Sequence, residues 1–454
     1  MLTSLSLRQF KSWRGIDRMR LAHITGLFGP NSSGKSSILQ FLLMLKQTVE
    51  SPDRMQVLNF GDERSLTNLG TFRDVIYKHA PQERMEWQLS WTLPKDLRVS
   101  DPEQRRAALF KGRSISFGAR VGETASGRIF VDRLAYLFDE HLFRMKRKSE
   151  AEWKYTLSAE PETFKFKRIR GRPWELPAPV KSYGFPDQVK AYFQNAGFLA
   201  DFELAFEELF SRMFYLGPLR EYPRRQYTWA GAQPADMGQR GERVVDALLA
   251  SRERGEKIAR GRRSKRLTLE EYVALWLRDL GLIQDFSVKA ISEGSNLYRV
   301  WVRKTKGTAE VLITDVGFGV SQILPVLALC YYVPPGSIIL LEQPEIHLHP
   351  SVQAGLADVF VDAVKKRQVQ IIVESHSEHL MRRLQRRIAE EKLPPEDTAF
   401  YFCEIHRAES KLTALDVDLF GNITNWPEDF WGDQFGDIAA MTTAAMERRK
   451  RERA

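Results

Sequence analysis

Gly29-Pro-Asn-Ser-Ser-Gly34-Lys35-Ser36 is the stretch on which the reading of this 454-residue chain turns. It fits the spacing G-x-x-x-x-G-K-[ST]. The glycines allow a tight curl whose successive backbone N–H groups point at one anion. The helix that follows adds the positive end of its dipole. In such a loop Gly29, Asn31, Ser32, Ser33, Gly34 and Ser37 cradle phosphates, and Lys35 reaches the β- and γ-phosphates. The Ser36 hydroxyl ligates Mg2+. Average composition puts a chance match in a chain of this length on the order of 1–2%. The setting lowers that further, because the apolar run Ile24–Phe28 precedes the loop and an apolar helix over 38–45 follows it. A plain Ser/Gly turn requires neither. The expected cofactors are ATP and Mg2+.

Two more aliphatic strands end in polar residues. Ser337-Ile-Ile-Leu-Leu341 runs into Glu342-Gln343-Pro344-Glu345, with Glu342 placed to hold Mg2+ through water. An acid after four aliphatics says little alone and much beside a phosphate loop. Gln370-Ile-Ile-Val-Glu374-Ser375-His376 ends in an imidazole able to bond the γ-phosphate or the attacking water. Between the loop and these strands, Asp315-Val-Gly317-Phe-Gly319-Val-Ser321-Gln322 precedes the apolar run Ile323–Val333. Glycines at a helix start can form a second anion concavity, although a simple turn is the default reading of G-x-G.

The remaining pattern divides the chain into 1–95, 96–285 and 286–454. Leu2–Phe10 alternates like a half-buried strand. From Met85 to Ile169 short alternating stretches (Glu86–Thr92, Ser114–Val121, Arg128–Leu137, Glu152–Leu157, Thr163–Ile169) predict an antiparallel meander. Asp187–Phe214 reads as amphipathic helix and Ser251–Arg266 as a mobile basic loop. Phe286–Ile291 and Tyr298–Arg303 predict two strands leading into a second α/β block that closes near Phe402. No heptad run is long enough for a coiled-coil arm.

The net charge is +10 and the pI about 9.4, with basic blocks at 165–172, 260–266 and 448–453. Such blocks attract polyanions, so nucleic acid is one possible partner; solvated surface is the other reading. No apolar run approaches the roughly 18 residues of a membrane span. Arg8, Lys11 and Arg14 break up any leader-like start. Cys330 and Cys403 lie in apolar contexts, as in a reducing compartment, and a cytoplasmic location is expected.

The motif order resembles ABC-type ATPases of the SMC/RecF/OLD class. The runs Leu340–Pro350 (LLEQPEIHLHP) and Val373–Leu380 (VESHSEHL) resemble OLD-like ATPases of anti-phage systems of Septu, PARIS and Gabija type. The resemblance implies an α/β P-loop NTPase, an ABC-type head with a β-meander lobe and a helical insertion. It implies a homodimer or higher homo-oligomer that sandwiches ATP. Gly317, Gly319 and Ser321 of one copy would then cap nucleotide held by the other, with His376 as switch histidine. Phe10-Lys11-Ser12 resembles an Asn-Phe-Arg-Ser element of such heads, which makes Lys11 a nucleotide contact. The Gly217–Arg220 turn marks the region of the Q-loop. Three positions depart from the pattern. Gly317 replaces the signature serine, and His349 replaces the D-loop aspartate. Gln343 stands where a second acid normally polarises water. An amide cannot accept that proton, so either Glu345 takes the role or hydrolysis is slow.

The leading expectation is a nucleotide-gated dimeric switch over a separate effector, a nuclease or toxin, in anti-phage defence. A RecF-like ATPase that clamps DNA is the alternative. A self-contained OLD nuclease is expected to need more chain after His376. A transporter subunit does not fit the insertion and charge, and a small-molecule kinase would not need the signature and switch elements.

Overall fold

The computed structural model describes residues 1–100, 108–149, 152–171, 175–261, 264–427, 430 and 434–453. Two large sheets enclose the helix that follows the glycine loop. The first is antiparallel and seven-stranded. Its strands are β1 (Leu2–Phe10), β2 (Trp13–Arg20), β4 (Met85–Ser100), β5 (Ala108–Glu123), β6 (Ile129–Phe138), β7 (His141–Arg147) and β8 (Tyr155–Glu160), in the order β2-β1-β4-β5-β6-β7-β8. The second has six strands: β3 (Ile24–Phe28), β9 (Met213–Leu216), β16 (Ile338–Glu342), β17 (Gln370–Glu374), β18 (Thr398–His406) and β19 (Glu409–Leu415). Their order is β19-β18-β3-β17-β16-β9, and all but β19 run parallel. A smaller sheet joins β10 (Tyr227–Thr228), β13 (Asp285–Ala290), β14 (Leu297–Arg303) and β15 (Val311–Leu312). A two-stranded ribbon joins β11 (Lys257–Ala259) and β12 (Arg266–Thr268).

The parallel strands are mostly apolar through their middles because helices or a sheet cover both faces. Ile338, Leu340 and Ile372 face a cluster shared with the P-loop helix Lys35–Glu50 and the antiparallel sheet. Ile339, Leu341, Ile371 and Val373 face the opposite cluster, with helices Phe318–Tyr332, Pro350–Arg367 and Glu378–Ala389. Phe41 of the P-loop helix meets Phe10 and Trp87 edge-on at 5.4 and 5.7 Å, locking that helix to the antiparallel sheet. Edge-on pairs of this kind add about 0.5–1.5 kcal/mol beyond burial.

Five local expectations are corrected. The meander does begin at Met85, with β4, but it has an extra strand, β7, and its sheet also takes in β1 and β2. Thr163–Ile169 is not a strand: Phe164 and Phe166 turn into an aromatic cluster with Phe143. Asp187–Phe214 breaks into helices Asp187–Tyr192 and Leu199–Ser211, and its tail becomes β9 beside β16. Of Ser251–Arg266, the described residues form a helix end and the β11–β12 ribbon, held by an Arg260–Asp279 ion pair. The C-terminal block runs past Phe402 through the β18–β19 hairpin. In the basic blocks, Arg172, Arg262 and Arg263 lie outside the described residues.

Candidate nucleotide site

The carboxyl ends of β3, β17 and β16 point into one crevice, the usual ligand position in open parallel sheets. β3 ends in the glycine loop. Gly29 has φ 134°, and a Cβ there would come within 2.0 Å of the Cys403 carbonyl oxygen on β18. Gly34 has φ 95°, and its Cβ would reach Ser410 Oγ at 2.6 Å and Ser12 Oγ at 2.9 Å. No other residue fits either position. The Trp13 indole N–H donates to the Gly34 carbonyl at 3.0 Å, and Ser12 and Ser410 join hydroxyls at 2.6 Å. The loop is thus braced by the β1–β2 turn, β2 and β19. Asn31 and Ser32 are exposed at its tip, Ser33 is buried, and Ser36 and Ser37 start the helix half-buried. Lys35 is buried and donates to the carbonyls of Gly29 (3.0 Å) and Pro30 (2.7 Å). Burial holds its ammonium below the ordinary lysine range.

Three buried glutamates close the crevice. Glu342 and Glu374 are register partners on adjacent strands. Ser36 Oγ donates to Glu374 Oε1 at 3.0 Å, whereas Glu342 Oε1 accepts from the Tyr215 hydroxyl at 3.1 Å. Burial, followed by the charge of Glu374, pushes Glu342 up to about 7. Glu345 accepts the His376 backbone N–H at 2.7 Å through Oε1, while its buried Oε2 meets no well-formed hydrogen bond, with the Ser375 hydroxyl close to the carboxylate. Burial raises its pKa too. Gln343 has φ 43°, with its N–H on the Glu374 carbonyl at 2.8 Å; this left-handed turn brings Glu345 back beneath β17. The His376 side chain is exposed, and partial burial together with Lys35 lowers its pKa. Lys11, at φ 51°, bonds Gln40 of the P-loop helix at 2.5 Å and feels the Glu342 charge.

The structure therefore gathers Lys11, Gly29–Ser37, Glu342, Gln343, Glu345 and His376 around one crevice. It does not join the glycine turn to them. Gly317 caps helix Phe318–Tyr332 with open space above its Cα. Among the described residues, Gly317, Gly319 and Ser321 share no hydrogen bond with the loop. The Ser321 hydroxyl is buried and donates to the Phe318 carbonyl at 2.8 Å, so a direct ligand role for it is not supported. His349 caps helix Pro350–Arg367, its Nδ1 accepting the Ser351 N–H at 3.3 Å.

Three further residues of the crevice, Glu374, Tyr215 and Arg220, are given no chemical role by the motifs. Glu374 does carry a signal, as an acid ending an aliphatic strand, the same one that marks Glu342. Tyr215 carries no local signal, and Arg220 ends the Gly217–Arg220 turn expected to mark the Q-loop region. Arg220 is 6% exposed, its Nε and one terminal nitrogen lack partners, and it sits in the field of Tyr215, Glu342 and Glu345. Burial lowers its pKa to about 10.

The donor set fits a nucleotide with Mg2+. Among the described residues no three His, Cys, Asp or Glu side chains could hold a metal alone. A hydroxyl with one or two carboxylates, completed by phosphate oxygens, is how Mg2+ is ordinarily bound.

The family of AAA domains described as "AAA domain, putative AbiEii toxin, Type IV TA system" matches residues 105–382. The chain belongs to that family. The match spans more than half of the chain and includes Glu342, Glu345, Glu374 and His376, but not the glycine loop. A second family, of proteins of unknown function (DUF3696), matches residues 393–441. No curated protein matches the chain. Similar solved structures include an SmcHead bound to the C-winged helix domain of ScpA (TM-score 0.46, 11% identity, covering 92% of this chain and 98% of that one). Another is the SMC head domain from Thermotoga maritima (0.41, 13%, 92% and 99%). A third is an Smc head domain with an extended coiled coil, bound to the C-terminal domain of ScpA, derived from Pyrococcus furiosus (0.46, 10%, 91% and 96%). Among the described residues no helix is long and apolar enough to cross a membrane.

Proposed function

We propose that this AAA-domain protein binds ATP with Mg2+ in the crevice, hydrolyses it, and acts as a nucleotide-gated dimer controlling a separate effector. The observation that supports this best is the meeting of Lys35 and Ser36 with Glu342, Glu345 and Glu374 at the ends of three parallel strands. Bound Mg2+ would draw charge from the β- and γ-phosphates. The chain's own groups do the rest. Lys35 exchanges its loop carbonyls for phosphate oxygens. Gln343 cannot take a proton, so Glu345 is assigned as base: it is the carboxylate of the same turn, and burial raises its pKa in the direction that suits proton uptake. The His376 N–H orients that carboxylate. The exposed Gly317–Gly319 turn supplies the capping surface for a second copy.

The effector role rests on the family description, which names a toxin–antitoxin system, and on the resemblance to anti-phage ATPases. The test is ATP binding and turnover by the native chain and Lys35→Ala, with mass measured with and without ATP and Mg2+. Loss of binding in Lys35→Ala and nucleotide-dependent pairing are expected. Equal binding in both proteins would overturn the site; a strict monomer with full turnover would overturn the dimer. DNA-stimulated turnover without any partner protein would favour the DNA-clamp alternative.

A further inference from the structure

We infer that Glu374, not Glu342, is the carboxylate that faces the divalent cation beside Ser36; this rests on the ATP–Mg2+ reading above. Strand order is the first ground. β17 lies between β3 and β16, so Glu374 is paired with Leu27 on one side and Glu342 on the other. Neighbouring strands lie about 4.8 Å apart. Glu374 is thus one spacing from the strand that launches the loop, and Glu342 is two.

The second ground is the bond that already exists. In a phosphate loop the serine hydroxyl is the protein's own cation ligand. Here that hydroxyl donates to Glu374 Oε1 at 3.0 Å. Glu342 has instead turned toward Tyr215, which donates to its Oε1 at 3.1 Å.

The third ground is an unspent atom. Glu374 is 2% exposed, and its Oε2 meets no well-formed hydrogen bond, with only the Gln343 side-chain amide close by. A buried carboxylate oxygen left unpaired is costly. A hard dication next to Ser36 Oγ would compensate it, and oxygen is the donor Mg2+ prefers. Glu342, with its tyrosine bond and the nearby Arg220, has no such need. Its place is behind Glu374, on the strand farther from the loop.

Apparent Mg2+ affinity separates this assignment from the broader one. Binding of a fluorescent ATP analogue would be titrated with Mg2+, and with EDTA as the metal-free reference, in native protein, Glu374→Gln, Glu374→Asp and Glu342→Gln. Bound Mn2+ would be counted by electron paramagnetic resonance on the same four proteins. Glu374→Gln should weaken apparent Mg2+ and Mn2+ affinity at least tenfold while metal-free nucleotide binding persists, which also shows that the variant is folded. Glu374→Asp should restore part of the loss, and Glu342→Gln should shift it less than Glu374→Gln does. If Glu374→Gln keeps native cation affinity, or Glu342→Gln loses more, the assignment is wrong although the nucleotide site stands. If the native chain binds no nucleotide with or without metal, the nucleotide reading itself fails.

Discussion

The two halves of the proposed ATP sandwich are built differently. On the phosphate side, the loop carbonyls, Lys35, Ser36, Glu345 and the His376 N–H form a buried network braced by Trp13, Ser12 and Ser410. On the capping side, Gly317 opens onto empty space. Phe318 is 38% exposed beside Tyr222, which is 69% exposed. Their rings lie 5.4 Å apart, and His347 meets Phe318 edge-on at 5.2 Å. The first half is organised before any ligand arrives. The second offers apolar surface and the glycine backbone at the start of helix Phe318–Tyr332. Binding should therefore be a property of one copy, and turnover a property of two.

The largest effect that would break this contrast is on binding. Lys35→Ala removes the ammonium inside the loop, and ATP affinity should fall by about two orders of magnitude or more, as a lost charge-assisted contact to phosphate implies. Equilibrium titration checks it. Native-like affinity would mean that the braced half is not the phosphate site.

Next in size is the choice of base. Glu345→Gln should lower turnover about 10²–10⁴-fold with ATP binding kept, the usual range for a lost general base. Gln343→Glu should raise turnover if the missing acid is what keeps hydrolysis slow. Many turnovers per second in the native protein, abolished by Glu345→Gln, would leave Glu345 as base and end the slow-switch idea. An unaffected Glu345→Gln would end its role as base.

These residues differ in how much of their role is visible in sequence. The loop is a local object: eight consecutive residues state its geometry, and the structure adds only the reason Gly29 and Gly34 are irreplaceable. β16 and β17 are legible because strands covered on both faces are apolar through their middles. Glu374 ends one of those strands, but its value depends on β17 lying between β3 and β16, a fact of sheet order that no local pattern carries. Arg220 depends on β9 joining the same sheet from a segment that reads as helix. β7 is hidden for another reason. Arg147 points inward where alternation calls for an apolar residue, and its guanidinium lies 4.2 Å from the Trp153 ring centre and 4.7 Å from that of Phe130.

A smaller effect sharpens the capping half. Gly317 has φ −57°, and no atom lies within 4 Å of where a Cβ would stand, so Gly317→Arg should fold normally. It should leave ATP affinity of the single copy near native and reduce both nucleotide-dependent pairing and turnover, by roughly tenfold if a single bulky clash costs about 1.4 kcal/mol. Light scattering with and without ATP reads the first and steady-state turnover the second. Unchanged pairing would remove the glycine turn from the interface.

The smallest expected effect lies at the back of the braced half. Tyr215→Phe deletes one hydroxyl and with it the 3.1 Å bond to Glu342. A single hydrogen bond of this kind contributes about 0.5–1.5 kcal/mol, and more when its acceptor is charged. That bond lowers the pKa of Glu342, which already sits at about 7, so its loss should raise that pKa further. A folded-state pKa above the unfolded value of about 4.5 gives stability that is complete below that value and lost as pH rises through the folded one. The native protein should therefore lose stability between about pH 4.5 and 7, and Tyr215→Phe should carry the loss to higher pH. Thermal unfolding from pH 5 to 9 reads this shift, and Glu342→Gln should abolish the part that Glu342 contributes. ATP affinity should move by only a few-fold, because Glu374 rather than Glu342 touches Ser36. If Tyr215→Phe instead abolishes cation-dependent binding, Glu342 is not a rear support, and the division between the two carboxylates fails with it.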